Sequence, residues 1–170
     1  MRRLAAAIII ALAAGASPAL AETITVSPDA GGTIDPLQRA VDRAKAGDTI
    51  IVNDGEYRGN LSLSDKYGTP NAPITIQSRN PQGAKIIGPS NGSTISAWGV
   101  GHVTIQGFHV EGRYQGQADN NVFHIGGPFT NPATGVAIVG NRVTGVSNDG
   151  IKFMEGAAGN LILGNLIDGD

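Results

Sequence analysis

The 170-residue chain contains no cysteine. It therefore has no disulfide framework, no thiolate metal site and no cysteine nucleophile. Aromatic residues make up only 5% of the sequence, and acidic residues outnumber basic ones by 14 to 12. Because basic residues are not in excess, the composition argues against a basic protein that binds nucleic acid. Glycine is abundant instead, at 25 residues, about twice its average usage of roughly 7%, and this predicts a chain that turns often.

Residues 1–21 have the pattern of a secretory signal, with Arg2, Arg3, an apolar run over 4–14 and the small residues Ala19 and Ala21. The run is shorter than the ~20 apolar residues that cross a bilayer, which favours a cleaved signal over an uncleaved membrane anchor. Cleavage leaves 10 basic and 14 acidic residues, a net charge of −4. We expect residues 22–170 to form one domain, a monomer that is secreted or periplasmic in a bacterium and has no membrane attachment after cleavage.

One short helix is predicted near the start of the mature chain. Asp35 is the expected N-cap, Pro36 suits the first helical position, and Gln38 completes a spacing like that of a capping box. Gly47 is expected to end the helix. The helix is predicted to be amphipathic, with an apolar stripe formed by Leu37, Ala40, Val41 and Ala44.

Short strands and glycine turns follow the helix. Including a first strand before the helix, the pattern predicts strands over 22–26, 49–52, 74–77, 85–88, 94–98, 103–110, 122–125, 136–143, 151–154 and 160–167. The segments 103–112, 136–145 and 160–169 align without a gap. The alignment superimposes Ile105, Ile138 and Ile162, then Gly107, Gly140 and Gly164, and then Val110, Val143 and Ile167.

This repeat predicts stacked coils with parallel strands, because a unit this short cannot bury its apolar row alone. The isoleucines should form an internal column, and the glycines should lie at bends. Asn141 and Asn165 occupy the same bend, where their amides can hydrogen-bond along the stack. The sequence reaches Asp170 inside a repeat, which predicts a truncated fragment whose C-terminal coils and cap are missing.

The chain resembles the right-handed parallel β-helices of the pectate-lyase-like superfamily. The resemblance depends on the predicted helix, on the runs Gly-Asp-Thr-Ile-Ile-Val, Gly-Glu-Tyr and Gly-Thr-Pro, and on the segments 73–76 and 103–108. It implies an all-β solenoid with an N-terminal cap helix. The chain is similar to the N-terminal part of secreted polysaccharide lyases, which include chondroitinase B, alginate lyases and calcium-dependent pectate lyases.

The resemblance also raises the question of calcium. The calcium-dependent pectate lyases carry an Asp-Asp-Gly-x-Asp run, and the matching stretch here, residues 148–152, keeps only Asp149. Calcium prefers six to eight oxygen ligands, commonly with several carboxylates, so this stretch alone is a poor site. Asp168 and Asp170 begin the equivalent position one coil later. Asp149, Asp168 and Asp170 are therefore the candidate ligands for calcium.

Cleavage of a uronate by β-elimination requires that the C6 carboxylate be neutralised, that a base remove the C5 proton, and that the C4 oxygen leave. Lys152, predicted to point outward between inward Ile151 and Phe153, is the candidate base or carboxylate clamp, with Arg142 as a neighbouring cation. The candidate substrate-binding residues are Asn148, Asp149 and Glu155. The alternative is that Lys152 is a solvated strand residue that pairs with Asp149 or Glu155.

Other candidate residues have structural interpretations that are favoured over functional ones. His102, His109 and His124 form no recognisable ligand pair. Aromatic side chains suit either sugar stacking or packing under loops, and packing is favoured for Trp98, Tyr57, Tyr67 and Tyr114.

Three functions stay open from the sequence. The first is a lyase that acts on an acidic, uronate-containing polysaccharide, the second is a non-catalytic carbohydrate-binding or cell-surface β-helix, and the third is a uronate C5-epimerase. The Asp-Pro-His-Asp run of epimerases is not in the sequence. Serine-hydrolase elbows, phosphate loops and dinucleotide fingerprints are also missing, which excludes those enzyme classes.

Overall fold

The computed structural model describes residues 20–113 and 121–169. Most of the predicted signal, together with Tyr114 and Asp170, lies outside the described residues. The helix α1 spans Asp35–Arg43. The strands are β1 Thr23–Val26, β2 Thr49–Val52, β3 Gly55–Arg58, β4 Leu61–Ser62, β5 Ile74–Ser78, β6 Ala84–Ile87, β7 Ile95–Trp98, β8 Val103–Gln106, β9 His109–Glu111, β10 Phe123–Gly126, β11 Ala137–Val139, β12 Arg142–Thr144, β13 Ile151–Phe153, β14 Leu161–Leu163 and β15 Leu166–Ile167.

Three sheets form the sides of a solenoid of about five coils. A six-stranded sheet has the order β1-β2-β5-β8-β11-β14, a four-stranded sheet has the order β4-β7-β10-β13, and a five-stranded sheet has the order β3-β6-β9-β12-β15. Each of these neighbouring strands pairs in parallel. The predicted parallel β-solenoid is confirmed, while the handedness of its winding stays a prediction.

The predicted isoleucine column is present in the six-stranded sheet. Ile138 pairs in register with both Ile105 and Ile162. The column continues in the other direction through Ile76, Ile50 and Ile24. From Ile24 to Ile138 the members of the column are buried. Ile162, on the last strand of this sheet, β14, is 50% exposed. Burying each such side chain contributes roughly 1.5–3 kcal/mol, so this column is a main source of stability.

A second column runs through the five-stranded sheet, where Val143 pairs with Val110 and Ile167 as the repeat predicts. Tyr57 and Ile86 extend it toward the first coils. Burial, and secondarily the nearby Asp54 carboxylate, raise the pKa of the Tyr57 hydroxyl to about 12. The hydroxyl donates to the Asn53 carbonyl oxygen over 2.9 Å, which satisfies it inside the core.

Glycine bends divide three of the predicted long strands. Gly107 lies between β8 and β9 with φ +74°, and Gly140 lies between β11 and β12 with φ +61°. A positive φ breaks the extended backbone, so the single strands predicted over 103–110 and 136–143 are each two strands on different sheets. The same holds for the strand predicted over 160–167, which is divided at Gly164 with φ +63°. The short strands β3 and β4 were not predicted as strands.

The asparagine stack at this bend is confirmed. The Asn141 Nδ2 donates to Asn165 Oδ1 over 3.0 Å and also to the Ile105 carbonyl over 3.0 Å. The Asn141 Oδ1 accepts the Phe108 backbone N–H at 2.9 Å. The side chain is buried, and it joins three successive coils through groups that the strands leave unpaired.

The helix begins differently from the prediction. Ile34 is the N-cap and no side chain caps it, so the proposed Asp35 capping box is wrong. Gln38 instead bridges to β4, since its Nε2 donates to the Ser62 carbonyl over 3.0 Å and its Oε1 accepts the Ser62 N–H at 2.9 Å. Gly47 lies beyond the helix end at Arg43.

The four residues of the predicted stripe, Leu37, Ala40, Val41 and Ala44, are buried. The helix packs against β1, β2 and β4, so it covers the first strands of the solenoid. In the parts of the chain that the structure describes, no helix is long and apolar enough to span a bilayer.

Candidate functional site

The outward face of the four-stranded sheet carries a row of polar side chains. Because successive residues of a strand point to opposite faces, Ser96, His124 and Lys152 point outward, while their neighbours Ile95 and Phe123 are buried in the core. The strand register pairs His124 with Ser96 on one side and with Lys152 on the other. Neighbouring strands lie about 4.8 Å apart, so the imidazole and the ammonium belong to adjacent positions of one surface.

Lys152 lies at the centre of β13 and is held by an acidic neighbour. Its Nζ lies 3.8 Å from Asp149 Oδ2, and its side chain is 30% exposed. Asn148 and Asp149 directly precede β13, and the Asn148 Nδ2 donates to Asn121 Oδ1 over 3.3 Å. Glu155 follows β13 and is exposed. The structure therefore gathers all three predicted substrate-binding residues around the Lys152 strand.

His124, like His102 and His109, is expected from the sequence to have a structural role. Its ring lies 6.0 Å from the Trp98 ring at an interplanar angle of 79°, an edge-to-face contact. Its Nε2 is buried without a hydrogen-bond partner among the described residues, although buried polar atoms are nearly always paired. The signal in the sequence was the alternation of Phe123, His124 and Ile125, which points the imidazole away from the core.

A shallow cavity opens at the end of this polar row. The next outward positions are Trp98, Gly126 and Met154, and the indole is 45% exposed. The cavity measures about 260 Å³ and is lined by Trp98, Gly127, Pro128, Phe129, Met154 and Glu155. Polar groups and an apolar hollow thus lie side by side, as in many ligand sites.

The other predicted catalytic residue, Arg142, lies elsewhere. It belongs to β12 of the five-stranded sheet, where it pairs with His109, and its Nη2 lies 3.7 Å from Asp168 Oδ2. Lys152 belongs to the four-stranded sheet, so the two side chains project from different faces of the solenoid. The prediction that Arg142 lies next to Lys152 is wrong, because the consecutive strands β12 and β13 belong to different sheets.

The face around Arg142 has its own balance of charge. Lys85 Nζ lies 2.5 Å from Glu111 Oε2, and His109 Nε2 lies 2.9 Å from Thr144 Oγ1. Burial, followed by the positive charges of Lys85 and Arg142, lowers the pKa of His109. The contacts of His109 fit its structural interpretation, although the Arg142 Nε is buried without a hydrogen-bond partner among the described residues.

Solved alginate lyases have a similar architecture. An alginate lyase from Paenibacillus sp. strain FPU-7 matches over 85% of this chain and 44% of its own length, with a TM-score of 0.68 and 23% identity. The PL6 family alginate lyase AlyGC matches over 74% of this chain and 16% of its own, with a TM-score of 0.53 and 21% identity. A mannuronic-acid-specific family 6 polysaccharide lyase from human gut microbiota matches over 86% of this chain and 33% of its own length, with a TM-score of 0.55 and 15% identity.

The chain has a parallel β-helix fold similar to that of these lyases. It spans less than half the length of each of these lyases. At such identities the likeness concerns the fold. No family model and no curated protein matches the sequence.

The predicted calcium ligands of this β-helix are not brought together. Asp149 contacts Lys152, whereas Asp168 contacts Arg142 on another face, and Asp170 lies outside the described residues. Within 20–113 and 121–169, no group of three histidine or carboxylate side chains is placed to hold a metal. Since calcium needs six to eight oxygens, these residues do not fit the ion, and calcium dependence stays a prediction.

Proposed function

We propose that this β-helix cleaves an acidic, uronate-containing polysaccharide by β-elimination on its four-stranded sheet. The observation that carries the proposal is the outward pair His124 and Lys152, in register on adjacent strands beside an open cavity. The names of the structural neighbours, all alginate lyases or a mannuronate-specific lyase, support the substrate class. A polymer of this kind is met outside the cell, which agrees with the secretory pattern of residues 1–21.

Lys152 is the proposed clamp for the C6 carboxylate. A lysine ammonium is positively charged at neutral pH, and Asp149 at 3.8 Å fixes its position without covering it. Contact with the ammonium offsets the negative charge of the uronate, which makes the C5 proton easier to remove.

His124 is the proposed base. Because the Nε2 of His124 is buried, the other ring nitrogen, Nδ1, is the one proposed to act. Nδ1 of the neutral imidazole accepts the C5 proton, the C5–H electrons form the C4=C5 double bond, and the C4–O bond breaks. The imidazolium then donates the proton to the oxygen that leaves, so histidine returns to its neutral form. Histidine suits both steps because an imidazole nitrogen can accept a proton and then release it.

The test is to incubate the full-length protein with alginate, pectate and chondroitin and to follow the ultraviolet absorbance of the unsaturated product. We expect product on at least one of these uronans. His124→Ala should reduce turnover roughly 10²–10⁴-fold, and Lys152→Ala should reduce it roughly 10²-fold.

Lys85→Ala is the matched control. Lys85 is also a strand lysine beside a carboxylate, and its side chain is 28% exposed, but it lies on the five-stranded sheet. Its turnover should stay at the level of the unaltered protein. Normal turnover of both His124→Ala and Lys152→Ala would remove the assignment of this face.

A non-catalytic carbohydrate-binding β-helix is the second candidate. The Lys152–Asp149 ion pair favours it, because that pair also accounts for Lys152 as a solvated strand residue. Binding of a uronan without any unsaturated product would support this candidate and overturn the lyase.

A further inference from the structure

The cavity beside the polar row presents aromatic surface to solvent. Trp98 is 45% exposed and Phe129 is 77% exposed, and both line the same hollow. Large apolar side chains that are exposed together mark interaction sites more often than packing defects. The sequence favours packing under a loop for Trp98, whereas this exposure argues for sugar stacking.

Gly126 fixes where the indole lies. A Cβ atom at this position would come within 2.6 Å of the Met154 Cβ and 2.9 Å of the Trp98 Cζ3. The indole and the thioether chain therefore lie closely over a position that has no side chain of its own. They form the floor of the hollow, and only glycine leaves room for them in this arrangement.

The turn over 128–131 holds Phe129 above this floor. Its backbone closes through the Asn131 N–H, which donates to the Pro128 carbonyl over 2.8 Å. The Asn131 Nδ2 donates to the Tyr67 hydroxyl over 2.6 Å, and a Cβ at Gly127 would lie 2.2 Å from the Asn131 carbonyl oxygen. The turn is thus packed on the sheet while the phenyl ring points outward.

We infer that Trp98, Phe129 and Met154 form a subsite that stacks one sugar ring of the polysaccharide, with Glu155 accepting hydrogen bonds from its hydroxyls. This inference rests on the proposed function, because it takes the polymer to be the ligand of the same face. The apolar face of a pyranose matches an aromatic surface, and its rim of hydroxyls matches the polar groups around the hollow.

The size and the position of the hollow favour a sugar over a protein partner. Its volume of 260 Å³ falls just below the range of roughly 300–1,000 Å³ for small-molecule sites, and a protein helix or strand would not fit. Trp98 lies two strands and two residues from Lys152, a separation of about 12 Å between Cα atoms from standard strand geometry. A chain of linked sugars can therefore reach both.

Trp98 is the only tryptophan in the sequence, so fluorescence reports on the subsite directly. The experiment titrates the full-length protein with oligomannuronate and with oligogalacturonate, follows tryptophan emission, and measures affinity in parallel by calorimetry. Trp98→Ala and Phe129→Ala should each weaken binding roughly fivefold to tenfold. Trp98→Phe should keep most of the affinity.

Two further variants sharpen the result. Gly126→Ala keeps both aromatic rings but displaces the indole, so it should weaken binding as Trp98→Ala does. Leu163→Ala removes an exposed apolar side chain from the six-stranded sheet and should leave affinity unchanged. The loss in Trp98→Ala should be the same at low and high salt, since stacking is not screened as a charge pair is.

The subsite is overturned if Trp98→Ala binds normally, if calorimetric binding leaves the emission unchanged, or if neither oligouronate binds. These failures are distinct from failure of the lyase. Binding that depends on Trp98 without unsaturated product keeps the subsite and removes the lyase. Product formation with an unchanged KM in Trp98→Ala keeps the lyase and removes the subsite.

Discussion

Replacing Asn141 by alanine tests how the coils are joined. The side chain is 1% exposed and connects its own coil to the coils before and after it. Alanine removes the acceptor of the Phe108 N–H and a donor to the Ile105 carbonyl. The methyl group of alanine cannot replace either hydrogen bond, and water has little access to a buried bend.

The expected cost follows from the two backbone groups that lose their partner. Each buried donor or acceptor left unsatisfied costs about 1–3 kcal/mol, so Asn141→Ala should lower the free energy of unfolding by about 2–6 kcal/mol. Domains of this kind are stable by only about 5–15 kcal/mol. The variant should therefore unfold at a clearly lower denaturant concentration.

Urea unfolding followed by far-ultraviolet circular dichroism measures this change. Asn148→Ala is the control, because Asn148 is exposed and its side chain makes a 3.3 Å bond to Asn121. The control should stay within about 0.5 kcal/mol of the unaltered protein. Equal stability of Asn141→Ala and Asn148→Ala would refute the view that the asparagine stack joins the coils.

Three further predictions concern the bends, the core and the response to pH. Gly140→Ala should cost about 1–2 kcal/mol, because its φ is +61° while a Cβ there meets no atom within 4 Å; a cost above about 3 kcal/mol by urea unfolding would mean that the bend is packed. Ile105→Ala should cost about 2–5 kcal/mol, while Ile162→Ala, half exposed in the same column, should cost clearly less, and equal costs would contradict the described burial. The lowered pKa of His109 means that the unfolded chain binds the proton more readily, so stability should fall as pH drops below about 6.5. His109→Gln should show a shallower loss between about pH 7 and pH 5 in thermal unfolding, and an unchanged slope would be the contrary result.

The repeating elements could be predicted because every coil must bury the same apolar positions and make the same bends. Ile105, Ile138 and Ile162 recur at matching places since each coil buries its apolar row against the next. Gly140 and Asn141 recur one coil later as Gly164 and Asn165, because every coil meets the same bend.

The candidate site could be predicted only in part. Period-two alternation gave the outward direction of Lys152, and sequence proximity gave its partner Asp149. The alternation does not tell which of three faces an outward residue occupies, so Arg142 was placed beside Lys152 although it belongs to another sheet. The pairing of His124 with Lys152 depends on the whole segment between β10 and β13, which includes β11, β12 and the loops around them, and the lengths of those loops carry no signal of register.

Strand spacing gives the polar row a property that a cleft made of loops lacks. A polymer laid along the solenoid axis meets Ser96, His124 and Lys152 in succession, one every 4.8 Å or so. Under the proposed function, the polar side chains would therefore contact the polysaccharide at a constant spacing. Duplication of a whole coil would add one more polar side chain to the row at the same spacing. A single insertion could therefore change the length of polysaccharide that the protein prefers.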